Sequence, residues 1–203
     1  GTPPTGFPQK VLTCESGTSI SDDIALEVKL KAPSNVNGFS FKVAFASYEF
    51  PEFVCTAFND EFVALMSPPP MGAINGNISF DKTGNPVSVH FAPFDHCDPA
   101  QKAFYAESCS VNCPMAPAVY CPNGDSFLAL TGFIAWGSQG FGSGSTGWIS
   151  TTAPVNGGDV FSVRFAIWDT GDGGVDSTAW IDAFQWEAAA GGKPASAVVV
   201  NPK

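Results

Sequence analysis

The chain has 203 residues, of which 44% are hydrophobic and 14% are charged. A disordered chain would be richer in charge and poorer in aromatic residues, so this composition excludes intrinsic disorder. The formal net charge of −10 argues against nucleic acid or an anionic membrane as a partner. It is compatible with binding of divalent cations and equally with the solubility of an acidic surface.

The N-terminal part of the chain predicts a lead-in followed by two strands. Residues 1–19 are expected to form a lead-in, which is rich in Pro and Gly at its start, and residues 20–203 a single domain. From Ile24 to Lys31 apolar and polar residues alternate, as in a half-buried strand. Phe39 to Phe45 alternates in the same way, with its Phe and Val side chains on one face.

Further strand and turn signals follow along the whole chain. Residues 93–125 lack this pattern and are rich in Cys and Pro, which indicates an insert. The other predicted strands are Phe62–Met66, Ile78–Phe80, Val87–Phe91, Phe127–Leu130, Thr146–Thr151, Phe161–Ile167, Thr178–Glu187 and Ala195–Val200. Roughly eight to ten strands without an amphipathic helix predict an all-β chain, folded as a sandwich or barrel.

The six cysteines predict disulfides. They are Cys14, Cys55, Cys97, Cys109, Cys113 and Cys121. Two bridges within residues 97–121 would fix the insert, and Cys14 with Cys55 would form the third. Zinc is the alternative, with His90 and His96 nearby, but the short paired spacing of structural zinc sites is missing. Disulfides imply an oxidising compartment.

One group of oxygen-bearing side chains follows the Phe39 strand. Its members are Glu49, Glu52, Asn59, Asp60 and Glu61. Such closely spaced acids repel one another unless a cation lies among them, and calcium prefers six to eight oxygen ligands. This segment is therefore either one part of a calcium site or an ordinary acidic loop.

A second acidic segment follows the Phe161 strand. Asp169, Asp172 and Asp176 alternate with glycines that permit a tight loop. The spacing is not that of an EF-hand, so a plain turn and a metal-binding loop both remain open. Asp182 lies beyond this loop, and in a regular strand it shares one face with Trp180, Phe184 and Trp186. That face is either a core containing a buried carboxylate or an exposed binding surface.

The two acidic segments together resemble the bacterial choice-of-anchor L domain. The resemblance rests on Phe45–Val54 with Phe58–Phe62, and on Val163–Asp169 with Asp172, Asp176, Ser177, Ile181 and Asp182. Tyr48 stands where the family usually has a second acidic residue, and the Cys97–Cys121 segment is not part of the family pattern. The resemblance implies a jelly-roll-like antiparallel β-sandwich, secreted or displayed at the cell surface. Any anchor is expected beyond Lys203.

The first functional hypothesis is an extracellular, non-catalytic surface module that binds structural calcium and contributes to adhesion or ligand binding. Its partner would be a glycan or a cell-surface protein. No apolar run approaches the ~18 residues needed to cross a bilayer, so direct membrane insertion is not expected. The expected metal ligands are Glu49, Asn59, Asp60, Asp169, Asp172, Asp176 and Asp182.

Two other hypotheses have separate residue sets. A carbohydrate-binding module would use exposed aromatic side chains, for which Trp136, Trp148, Trp168 and Trp186 are the candidates. A secreted hydrolase would need an acid–base pair such as Glu49 with Glu52, or one of the two histidines. No catalytic residue is assigned, because the sequence contains no nucleophile motif.

Overall fold

The computed structural model describes residues 3–10, 14, 17–54, 56–81, 84–90, 94–98, 121–133 and 142–188. Within these ranges the chain forms nine strands in two antiparallel sheets that pack as a sandwich. The predicted all-β sandwich is therefore confirmed. No helix in the described ranges is long and apolar enough to span a membrane.

The strands are β1 Ile20–Lys31, β2 Val36–Ser47, β3 Glu61–Ser67, β4 Val87–Ser88, β5 His96–Cys97, β6 Gly144–Ser145, β7 Ile149–Pro154, β8 Val160–Thr170 and β9 Ser177–Ala188. The first sheet has the order β1-β8-β3-β4. In the second sheet β2 is central, with β9 along one side and β7 and β6 along the other. Strand β5 continues this sheet beyond β6.

The core lies between β2 and β8. Phe39, Phe41, Val43 and Phe45 are all buried, as their alternation predicts. Phe39 stacks on Phe161 of β8 with 5.2 Å between ring centroids. Full burial of each such side chain contributes about 1.5–3 kcal/mol, so these facing rows are the main link between the two sheets.

A short segment covers the outer face of the second sheet near the end of β2. Residues 126–128 form a single turn of 3-10 helix, in which the Leu128 amide donates to the Asp125 carbonyl at 2.8 Å. The predicted strand over Phe127–Leu130 is therefore wrong, because this segment turns to place Leu128 in a small buried cluster. The Tyr48 ring stacks on Phe133 at 4.7 Å, and its hydroxyl donates to the Gly132 carbonyl.

Only the two ends of the predicted insert fall within the described residues. A disulfide joins Cys97 of β5 to Cys121, with 5.2 Å between their Cα atoms. Cys14 is also disulfide-bonded. Cys55, Cys109 and Cys113 lie outside the described residues, as does the predicted strand at 195–200. The other two predicted bridges therefore remain predictions.

Strand β9 does not alternate regularly. Asp182 pairs with Lys42, whereas Gln185 pairs with Ser40, so β9 has one extra residue in this interval. The extra residue is accommodated at Ala183, whose φ is 52°. A bulge of this kind reverses the two faces of a strand. Trp180 and Asp182 therefore lie on the outer face and Phe184 and Trp186 on the inner face, so the expectation that all four share a face is wrong.

The lead-in packs against the outer face of the first sheet. Phe7 is buried and meets Trp168 edge-to-face at 5.6 Å. The Gln9 amide donates to both carboxyl oxygens of Glu61, at 3.2 and 3.4 Å. Residues 3–10 therefore shield the indole and the carboxyl group of Glu61 from water.

Candidate functional site

Three buried carboxyl groups meet at one end of the sandwich. Glu49 and Asp60 come from the connection between β2 and β3, and Asp169 comes from the end of β8. The Asp60 carboxyl interacts electrostatically with the carboxyls of both Glu49 and Asp169. Glu49 also accepts a hydrogen bond from the Asp60 amide at 2.9 Å. We call Glu49, Asp60 and Asp169 the carboxylate cluster.

The pairing of strands brings the two acidic segments together. Strand β3 lies beside β8, and the Asn59 amide donates to the Thr170 carbonyl at 3.1 Å. The end of β2 lies beside the start of β9, where Ser47 pairs with Ser177. The segments therefore meet through the β3–β8 and β2–β9 pairs, whereas β2 and β8 belong to different sheets.

Two hydroxyl groups hold Asp60 from one side. Ser47 and Ser177 both donate to Oδ2 of Asp60, the first at 3.0 Å. Oδ1 of Asp60 is fully buried and receives no hydrogen bond from an amide or hydroxyl group of the described residues. A buried acceptor without a donor costs about 1–3 kcal/mol, so this oxygen needs either a proton from a neighbouring carboxyl or a cation. This oxygen therefore marks the point of the cluster at which a ligand would be most stabilising.

The cluster favours protonated carboxyl groups. Burial raises the pKa of Glu49 to about 9, and the charges of Asp60 and Asp169 act in the same direction. Burial, the charge of Asp60 and that of Asp22 raise the pKa of Asp169 to about 8. Burial raises the pKa of Asp60 only to about 6, because Ser177 and Ser47 donate to its ionised form. Near neutral pH Asp60 is the ionised member, between two protonated neighbours.

Asp22 is a neighbour of the cluster that sequence reasoning missed. It lies in an irregular part of β1 with φ of 52°, and its charge and that of Asp172 both act on Asp169. The loop after β8 passes very close to the Ala57 carbonyl. A Cβ atom at Gly171 would lie 2.5 Å from that oxygen, so only glycine permits this approach. The φ of +98° at Gly171 also favours glycine. Only the conformation of β1 reveals Asp22, since in the sequence it lies before the alternation that begins at Ile24 and outside both acidic segments.

The other four predicted ligands lie in different settings. Asn59 is buried, but its Oδ1 accepts the His90 amide at 3.0 Å. Asp172 is exposed and accepts the Gly174 amide at 3.3 Å. Asp176 is exposed, and its backbone carbonyl accepts the Tyr48 amide at 3.1 Å.

Asp182 is the predicted ligand with the least relation to the cluster. It is exposed on the outer face of β9, and its Oδ1 accepts the Ala183 amide at 2.6 Å. It lies opposite Lys42. Across the described ranges, no three or more His, Cys, Asp and Glu side chains are arranged so that they could hold a metal ion as they stand. The cluster is thus a group of buried carboxyls that interact with one another, and the calcium ligand set is still a prediction.

Two acidic residues of the first segment have other partners. Glu61 is fully buried and accepts hydrogen bonds from Gln9 and from the Trp168 indole at 3.3 Å, while burial raises its pKa to about 8. Glu52 accepts the Gly142 amide at 3.0 Å, and burial raises its pKa. Glu49 and Glu52 are therefore held by different parts of the chain.

The candidate aromatic and imidazole groups are mostly packed inside the protein. Trp168 is 1% exposed, so it is not available as a surface platform. Trp186 is half-buried against Phe39, and Trp148 is half-buried. Trp136 lies outside the described residues. Burial lowers the pKa of His90 to about 4, so this side chain is a neutral imidazole at physiological pH.

The comparison with known proteins rests on a family model. The sequence model described as the Choice-of-anchor L domain matches residues 10–186 of this chain. The match includes both acidic segments, the first eight strands and β9 as far as Trp186. No curated protein and no solved structure matches the chain. Since the matched residues are most of the chain, it belongs to the Choice-of-anchor L domain family.

Proposed function

We propose that this domain is an extracellular, non-catalytic surface module in which a structural calcium ion joins the two acidic segments. The observation that carries the proposal is the carboxylate cluster, at whose centre Oδ1 of Asp60 is buried without a hydrogen bond from an amide or hydroxyl group of the described residues. A divalent cation would replace the protons that the cluster otherwise needs. It would also hold the ends of β2, β3, β8 and β9 together.

The donor set fits calcium. Every side chain of the cluster and its two supporting hydroxyl groups offers oxygen, whereas structural zinc prefers sulfur and nitrogen ligands. Calcium accepts six to eight oxygens in flexible geometry, including backbone carbonyls and water. Asp22 and Asp172 add negative charge beside Asp169, which raises the local attraction for a cation. We assign Glu49, Asp60 and Asp169 as the central ligands.

The family supports a location outside the cell. A choice-of-anchor domain suggests a surface-anchored protein. The disulfide between Cys97 and Cys121 is consistent with an oxidising compartment. We include in the proposal a role in adhesion or ligand binding, because a domain outside the cell can meet a glycan or a surface protein.

The proposal of a non-catalytic role is supported at the groups considered for hydrolysis from the sequence, His90 and the pair Glu49 with Glu52. His90 has a pKa near 4, and its Nε2 lies 3.0 Å from the Phe58 carbonyl. An efficient acid–base group has a pKa close to the working pH. Glu49 and Glu52, the pair considered for glycoside hydrolysis, bind separate backbone amides.

The test is thermal unfolding of the whole chain in excess calcium, in excess magnesium and in EDTA, together with elemental analysis of the purified protein. We expect bound calcium and a clear rise in melting temperature with calcium. Magnesium should have a smaller effect, since it demands regular octahedral geometry at shorter distances. Identical melting curves with no bound metal would refute the proposal, and turnover of a glycan would refute the non-catalytic role.

A further inference from the structure

One long edge of the sandwich is open and apolar. Ile24 and Leu26 of β1 are 66% and 58% exposed, although they pair with residues of β8 whose side chains point into the core. Across the gap, Ile181 and Phe184 of β9 are 36% and 40% exposed. In the described part of the chain β1 pairs only with β8 and β9 only with β2, so both sheets end at this edge.

The two uncovered rows enclose a cavity of about 290 Å³ that opens to solvent. Its lining includes Ile24, Leu26, Phe165, Ile167, Ala179 and Ile181. Large apolar side chains that are grouped and exposed in this way mark a surface that binds a protein, a membrane or a ligand. Among the described residues no strand pairs with the outer edge of β1 from Ile24 to Lys31, so the amide and carbonyl groups there can pair with a strand that approaches.

We propose that the occupant is a second copy of this chain, with β1 of each copy pairing antiparallel about a two-fold axis at Val28. This axis is perpendicular to the sheet, so the inner faces of the two copies lie on one side of the joined sheet and their outer faces on the other. In this register Glu27 of each copy lies opposite Lys29 of the other, which gives two opposite-charge pairs. On the inner face Leu26 lies opposite Leu30, so the exposed Leu26 gains an apolar neighbour.

The charges of β1 are available for this pairing. Arg164 of β8 already binds Asp23 at 2.7 Å. Neither Glu27 nor Lys29 has a salt bridge within the described residues. Lysines on an edge strand normally discourage pairing with a foreign strand. Here Glu27 lies two residues from Lys29, so two antiparallel copies of the strand can place each glutamate opposite a lysine. The edge is therefore complementary to itself, and a second copy is the favoured partner.

Other symmetric registers are less favourable. Centring the axis on Glu27 or on Lys29 would place a charge directly opposite its own copy, which destabilises the pair. Centring it on Leu26 would extend the pairing across residues 21–24, where β1 is irregular. The Val28 register avoids both problems and keeps the pairing within the regular part of the strand.

The experiment measures the mass of the whole chain in solution across a concentration series, by light scattering and sedimentation. The variants are Glu27→Lys, Lys29→Glu and the double exchange E27K/K29E. Each single change puts like charges opposite at both symmetric pairs and should raise the dimer Kd about tenfold or more. The double exchange restores opposite charges and should return the Kd close to that of the unchanged chain.

A matched control and one further variant separate pairing from general effects of charge and folding. Lys10→Glu makes the same charge change as Lys29→Glu at an exposed residue outside β1 and should leave the dimer unchanged. Leu26→Ser should weaken the dimer while leaving the melting temperature of the monomer nearly unaffected, because this side chain is already exposed. A chain that is monomeric at its highest soluble concentration would overturn the proposal. So would a dimer that ignores the single charge changes or is not restored by the exchange.

Discussion

Asp60→Asn should remove the response to calcium without weakening the calcium-free fold. Saturation at about 100 times the Kd stabilises a protein by about 2.7 kcal/mol. For a chain of this length that corresponds to a rise in melting temperature of about 5–10 °C, at about 2–4 °C per kcal/mol. Asparagine keeps an oxygen for the two serine hydroxyl groups but removes the charge, and loss of a central ligand should weaken binding at least about 100-fold. The stabilisation at the same calcium concentration then falls to about 0.4 kcal/mol, or about 1–2 °C.

The assay is differential scanning calorimetry of both proteins with calcium and with EDTA. In EDTA the variant should melt at or above the unchanged chain at neutral pH, since it lacks the one ionised carboxylate of a buried acidic group. Asp182→Asn is the matched control, because it makes the same chemical change at an exposed residue on the outer face of β9. A normal calcium response in Asp60→Asn, or its loss in Asp182→Asn, would show that the ligand assignment is wrong.

Four further outcomes are expected. The stability of the calcium-free protein should fall as the pH rises from roughly 5 to 8. The reason is that the raised pKa values of the carboxylate cluster make the folded state bind more protons in this range than the unfolded state does. Urea titrations at several pH values measure this stability, and a flat or rising profile would contradict the prediction. Gly171→Ala should cost at least about 2 kcal/mol, since it combines a positive φ with a close approach to the Ala57 carbonyl. Gly158→Ala, with a similar φ but open space, should cost only about 1 kcal/mol. Phe7→Ala removes a buried ring and should cost about 3 kcal/mol, and an unchanged urea midpoint would mean that the lead-in adds nothing to stability.

The regular strands could be predicted from the sequence because their burial depends on local alternation. The inward row of β2 is the clearest example, since every predicted core residue from Phe39 to Phe45 is buried. In β1 the same alternation indicates which face points inward but not whether anything covers it. Ile24 and Leu26 point inward and are nevertheless exposed, because the partner sheet ends before reaching them.

The interruptions of the pattern could not be predicted, because they depend on contacts between distant parts of the chain. The bulge at Ala183 reverses β9, and nothing in the composition of that strand marks it. The register shift between Ser21 and Ile24, which includes Asp22, is likewise not marked by the composition of β1. The meeting of Glu49, Asp60 and Asp169 was within reach of sequence reasoning because each lies close to the end of a predicted strand. Asp182 belongs to the same family pattern, but the bulge that follows it reverses the two faces of β9. Sequence alone therefore could not show that the Asp182 side chain lies on the outer face.

The protons held by the carboxylate cluster have a consequence for the energetics of ion binding. Glu49 and Asp169 have pKa values of about 9 and about 8, so both carry a proton in neutral solution. An ion that binds their oxygens must displace these protons, and the domain would then act as an ion exchanger. The measured heat of binding would vary with the ionisation enthalpy of the buffer. With two protons released, the apparent affinity would increase up to about 100-fold for each unit of pH, so acidification of the surroundings would release the ion.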